Sequence, residues 1–297
     1  MSTAAVSERG LWMEASMPLL FVLIWSTGFI VAKFGLPYAP VMTFLLLRYL
    51  CVLLILVPAL LLVRAPWPQG QVRHIAIAGV LVQAGYLSGV WSAIKLGMPA
   101  GLAALIVGLQ PLLTALGARL IGEPVRPRQW LGLVLGLAGV TLVVSNKLTA
   151  TGSSIINVSL CSFALLSITA GTLYQKRFCP RFDLRSGAVI QFTASALVTL
   201  PLAITLENLT PGFDSVQWTS DFIGALCWSV FALSIGAIFL LFALIRKNAA
   251  TQVSSLMYLT PPLTALIAWL LFGETLSFTG ALGMLLTVVG VACVVRK

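Results

Sequence analysis

Apolar runs long enough to cross a bilayer recur along the whole chain, and no other feature restricts its fold so tightly. A spanning helix needs about 20 mostly apolar residues. Runs of that kind fall at 17–36, 40–63, 73–96, 99–121, 127–145, 153–177, 184–205, 222–245, 250–273 and 275–295. Pro and Gly punctuate the short connections, as at Pro37 and Pro40, Pro66 and Pro68, and Gly97 and Pro99. The first run is of full length and lacks a small-residue cleavage site, which predicts a retained span and not a signal peptide. Charged residues make up only 9% of the chain and hydrophobic residues 59%. A soluble domain carries about 25% charged residues, so most of this surface is expected to face lipid. The predicted fold class is an all-α integral membrane protein with ten transmembrane helices.

The net charge of +10 invites a nucleic-acid reading, but the placement of the charges argues for membrane orientation. With the N-terminus in the cytoplasm, Arg9, Arg64, Arg73, Arg119, Arg126, Arg128, Lys176, Arg177, Arg181, Arg185, Arg246, Lys247, Arg296 and Lys297 fall at cytoplasmic span ends or loops. Only Lys33, Lys95 and Lys147 lie toward the outside. That asymmetry matches the positive-inside rule and places both termini in the cytoplasm, most simply of a bacterial inner membrane. The cysteines are five, an odd number, and sit in spans or at cytoplasmic ends, so no disulfide framework is indicated.

Residues 111–146 align with 262–297 without a gap, and 12 of the 36 positions are identical. Leu and Val matches count for little between apolar helices. Pro111 with Pro262, Gly122-Glu123 with Gly273-Glu274, Gly132 with Gly283 and Gly139 with Gly290 are more specific. Ten spans then divide into an N-terminal repeat (1–148, spans one to five) and a C-terminal repeat (149–297, spans six to ten), forming one membrane domain. An odd number of spans per repeat inverts the second relative to the first, an arrangement that builds a central cavity with alternating access.

The early Trp25-to-Phe29 pattern of W-small-small-G-F followed by Lys33, the Leu47-Arg48-Tyr49 triplet of span two, and the Gly-Glu turns together carry a family resemblance over nearly the whole chain. The chain resembles the EamA-type branch of the drug/metabolite transporter superfamily, and within it the YddG-type exporters of aromatic amino acids. It departs from that pattern at Trp25-Ser26, where the family more often has Trp-Gly. The resemblance implies two five-helix halves around a central cavity and export of aromatic amino acids.

The residues themselves nominate a site. Arg48 falls about 12 Å into span two, near the midplane, where a charge needs a cavity or a partner. Two readings are open: a structural arginine bonded to helix carbonyls, or a direct substrate contact. Trp25, Phe29 and Lys33 are spaced by four and share a helix face, which suits a ligand bearing a ring and a carboxylate. Lys33 has a second reading, in which its stem snorkels to the outer headgroups. Gln83, Tyr86, Ser88 and Trp91 in span three and Trp228 in span eight complete the expected substrate wall, with Gln110, Ser162, Thr169 and Gln191 as further polar candidates. Pro111, Pro261 and Pro262 should kink spans four and nine and act as hinges or static bends.

No carboxylate lies mid-span, so an intramembrane proton relay is not expected, and no clustered Asp, Glu, His or Cys suggests catalysis, a metal or a cofactor. His74 reads as an interfacial residue. The expected activity is export of small amphipathic metabolites, aromatic amino acids first, with the small molecule and the bilayer as partners and a monomer or dimer as the assembly. Alternatives are export of other amino acids or of cationic and aromatic drugs, and, in a different class, a membrane-embedded enzyme or receptor.

Overall fold

A computed structural model describes residues 3–118, 127–151, 155–179, 181–237, 240, 259–274 and 277–295. In chain order the α-helices are α1 (Thr3–Gly35), α2 (Val41–Val63), α3 (Val72–Gly79), α4 (Tyr86–Lys95), α5 (Ala100–Val107), α6 (Gln110–Ala118), α7 (Pro127–Thr151), α8 (Ile155–Phe178), α9 (Leu184–Glu207), α10 (Ser220–Trp228), α11 (Thr260–Phe272) and α12 (Phe278–Val295). Two wider π-helical stretches interrupt this pattern: Val80–Gly85 joins α3 to α4, and Ser229–Gly236 continues α10. The described residues contain no strand.

Val41–Val63, Val72–Lys95, Ile155–Phe178 and Leu184–Glu207 are each long and apolar enough to cross a membrane alone. Shorter apolar stretches include Leu19–Gly35, Ala100–Thr114, Ser220–Gly236 and Thr260–Phe272. The expected fourth span is not continuous. It breaks at Gly108 and Leu109, just ahead of Pro111, which takes the second position of α6. A proline in an unbroken helix would collide with the carbonyl four residues back, whereas at a helix start its missing N–H costs nothing. Pro261 and Pro262 likewise occupy the first turn of α11. The part of span nine before residue 259, where a kink was expected, lies outside the described residues.

Tight contacts join distant helices. α2 packs along α9, α4 along α8, α5 along α11, and α7 along α12. In the last pair a Cβ on Gly139 would lie 2.5 Å from the Gly283 carbonyl, and one on Gly290 would lie 2.6 Å from the Gly132 carbonyl. Only glycine permits backbones this close.

The end of the bundle that carries Lys33 is tied by polar contacts between helix termini. Glu207, at the end of α9, accepts the Met42 and Thr43 N–H groups at 2.8 Å each and the Thr43 hydroxyl at 2.9 Å, capping α2 from another helix. Lys95 donates to the Leu36 and Ala39 carbonyls, closing α4 onto the turn between α1 and α2. At the opposite end Asp183 caps α9, accepting from Arg185 N at 2.9 Å and Ser186 N at 3.4 Å.

Candidate functional site

Helices α1, α2, α4, α8 and α9 and both π stretches surround a cavity of about 230 Å³. It runs from Arg48 and Trp91 to Gln175, Phe182 and Leu184, at the end of the bundle where α8 stops and α9 begins. A side chamber of about 30 Å³ lies behind Trp25, Phe29 and Tyr86, bordered by Gly108, Gln110, Pro111 and Thr260.

Arg48 is only 6% exposed. Its Nε–H donates to Ser234 Oγ at 3.0 Å, and Ser234 in turn donates to the Ser229 carbonyl at 2.9 Å. The guanidinium carbon lies 5.9 Å from the centre of the Trp91 ring, within cation–π range. Trp91 is fixed edge-on against Phe44, with ring centres 4.9 Å apart. No acceptor among the described residues takes the N–H groups of the two terminal guanidinium nitrogens. A buried guanidinium with that many free donors beside a cavity is a place for an anion.

The π stretches give the wall its shape. A π turn pairs an N–H with a carbonyl five residues back, as the Tyr86 N–H pairs with Leu81 O, and the widened turn leaves its carbonyls open to a second donor. Those of Val80–Gly85 and the preceding residue are met by hydroxyls from three other helices: Tyr49 donates to Gln83 O at 3.0 Å, Ser167 to Leu81 O at 2.8 Å, and Ser195 to Gly79 O at 3.1 Å. The bulge presents Val82 and Gln83 to the cavity, and the second π stretch presents Leu233 and Ser234. Across the cavity, Gln191 donates to Gln175 Oε1 at 3.0 Å.

Of the residues nominated by sequence, Trp25, Phe29, Arg48, Gln83, Tyr86 and Trp91 line this one cavity, and Gln191 joins them. Lys33 lies elsewhere. Its Nζ is 2.6 Å from Glu274 Oε1 and 4.4 Å from the centre of the Phe272 ring. Glu274 Oε1 also faces the Ala100 N–H at 3.3 Å, so the pair links α1, the end of α11 and the start of α5. Gly273 makes this possible: its φ of 64° ends α11 and turns the next residue back toward α1. Ser88 bonds the Gly85 carbonyl at 3.1 Å, and Trp228, 46% exposed, donates to Thr27 Oγ1 at 2.8 Å; neither lines the cavity.

The remaining candidates scatter. Pro111 borders the side chamber, and Gly108 lies so close to Pro261 that a Cβ there would meet its ring at 2.9 Å. Pro262 sits in an outer groove with Leu266 and Trp269. Gln110 donates to Thr172 at 3.2 Å, Thr169 bonds the Leu165 carbonyl, and Ser162 lines a separate groove with Phe163. His74 meets the Tyr174 hydroxyl at 2.8 Å and stacks on Phe178. Sequence reasoning passed over Ser234, Gln175, Phe182 and Phe192. The one available signal for Ser234 was its spacing of five from Ser229, which only a π turn brings together.

A cavity with a buried cation, set among helices apolar enough to cross a bilayer, fits a membrane transport protein. The chain belongs to the EamA-like transporter family, whose sequence profile matches residues 12–145 and, a second time, residues 155–296. It is 28% identical over 284 residues to a probable amino-acid metabolite efflux pump of Salmonella typhimurium, covering 93% of each chain. It is also 28% identical to the uncharacterized transporter YvbV of Bacillus subtilis, covering 93% of this chain and 89% of that one. With the uncharacterized inner membrane transporter YedA of Escherichia coli it shares 28% identity over 260 residues, 86% of this chain and 81% of that one. A crystal structure 22% identical in sequence superposes with a TM-score of 0.64 over 93% of this chain and 94% of the other, a likeness of fold.

Proposed function

We propose that the chain exports small amphipathic metabolites carrying a carboxylate, aromatic amino acids first, across the inner membrane by alternating access. The observation that carries this reading is the buried, incompletely bonded guanidinium of Arg48 in a cavity walled by Trp25, Phe29, Tyr86 and Trp91. The Salmonella efflux pump, with its probable amino-acid metabolite cargo, supports it. Arg48 takes the carboxylate, and the aromatic side chains hold the ring by apolar and stacking contact. Ser88 and Trp228 act as supports of the wall and not as contacts in this state.

The same reading takes the fold as ten spans in two inverted repeats, 1–148 and 149–297. The double match of the family profile supports it. So does the register that lays residue 111 on 262, which also lays Val80–Gly85 on 231–236 within the second π stretch. The close contacts of Gly139 with Gly283 and of Gly290 with Gly132 exchange under that alignment, as a two-fold relation requires.

With both termini cytoplasmic, the cavity faces the cytoplasm and the Lys33–Glu274 pair closes the outer end. When that pair parts in the outward-facing state, Lys33 becomes free to meet the departing carboxylate, and the facing breaks at Gly108 and Pro261 serve as the hinge. Purified protein in liposomes, loaded with labelled phenylalanine or tryptophan and assayed with and without a pH gradient, tests the proposal. Protein-dependent flux insensitive to the gradient is expected; no flux for any amino acid tried would remove it.

A further inference from the structure

The charge distribution around the cavity says which part of an amino acid the site reads. Arg48 is the only charged side chain among the described residues that line it. Five carboxylates are engaged elsewhere: Asp183 with Arg185, Glu207 with the start of α2, Asp214 with Thr210, Asp221 with Tyr38, and Glu274 with Lys33. A substrate carboxylate therefore finds a buried guanidinium with free N–H groups, able to hold both its oxygens. A substrate ammonium finds no carboxylate among the described residues that line the cavity. On an α-amino acid it also sits one carbon from the carboxylate, close to Arg48, where like charges repel across a poorly solvated space. What the wall offers it is neutral: the amide of Gln83, the phenol of Tyr86 and the hydroxyl of Ser234.

We infer that the cavity is a site for hydrophobic monocarboxylates in general, in which the carboxylate is required and the α-ammonium is dispensable. Resting on the transport reading above, this extends the substrate class to oxo, hydroxy and N-acyl relatives of the aromatic amino acids and excludes organic cations. Positive charge is rejected for the same reason negative charge is accepted: desolvating an ion here is compensated only for an anion.

Three probes of one shape separate the groups. Phenylalanine has both charges, 3-phenylpropionate lacks the ammonium, and 2-phenylethylamine lacks the carboxylate. Calorimetric titration of the purified full chain at pH 7 should give 3-phenylpropionate an affinity at least equal to that of phenylalanine. 2-Phenylethylamine should bind about tenfold more weakly or worse, the size of effect a lost charged hydrogen-bonding partner produces. Arg48→Gln should weaken 3-phenylpropionate by about tenfold or more, and Arg48→Lys should recover part of that loss, since a point charge replaces a planar fork. The lysine variant keeps a cation in place should the glutamine variant fail to fold.

Binding of 2-phenylethylamine as tight as that of 3-phenylpropionate would overturn the inference, as would binding of phenylalanine without 3-phenylpropionate. In either case phenylalanine flux in liposomes leaves the transport reading standing. Absence of both phenylalanine flux and binding of all three probes removes that reading, and this inference with it.

Discussion

The guanidinium of Arg48 spends one of its donors on Ser234 and keeps the rest beside the cavity, whereas the ammonium of Lys33 is held by Glu274 at 2.6 Å. The two cations therefore call for different experiments. Removing the Lys33–Glu274 pair by Lys33→Met or Glu274→Gln should unlock the end of the bundle that carries it. A cysteine at position 83 in a background without other cysteines should then be labelled faster by impermeant maleimide added from that side, and an unchanged labelling rate would argue that the pair does not close the path. At the same end, Glu207→Ala should lower thermal stability by about 1–2 kcal/mol, because two α2 N–H groups lose a charged acceptor. Arg48 could be singled out from its depth in a span, and Trp25 and Phe29 from their shared helix face. The partner of Lys33 could not, since Glu274 is 241 residues away and only the positive-φ turn at Gly273 brings it near.

At the level of elements, the π stretches shape the wall, and hydroxyls from neighbouring helices reinforce their carbonyls inside the bilayer. Ser167→Ala leaves the Leu81 carbonyl with the Tyr86 N–H as its remaining donor and should destabilise the protein by about 0.5–1.5 kcal/mol, with a larger loss when Ser195→Ala is added. Gly139→Ala drives a methyl into the Gly283 carbonyl and should cost about 1–3 kcal/mol. Thermal melts of the detergent-purified variants measure both. The four long apolar helices, the glycine faces and the proline positions were readable from apolar length and composition. The π turns were not: six or eight residues of altered hydrogen bonding leave the hydrophobic pattern unchanged, so Ser234 looked like any other serine. The break ahead of Pro111 was expected as a kink and proved to be a full interruption of the helix.

For the whole molecule, the cavity, the Lys33–Glu274 pair and the two matches to the EamA-like profile are the observations behind the proposed carrier, which would meet its substrate at Arg48 and release it past Lys33. Its central claim is that the Arg48 cavity is the transport site. Counterflow of labelled phenylalanine into liposomes, compared for the wild type, Arg48→Lys and Arg48→Gln at equal amounts of folded protein, tests it most directly. The account predicts robust uptake by the wild type, reduced uptake with a raised half-saturation concentration for the lysine variant, and a loss of about tenfold or more for the glutamine variant. Wild-type uptake by Arg48→Gln would contradict it.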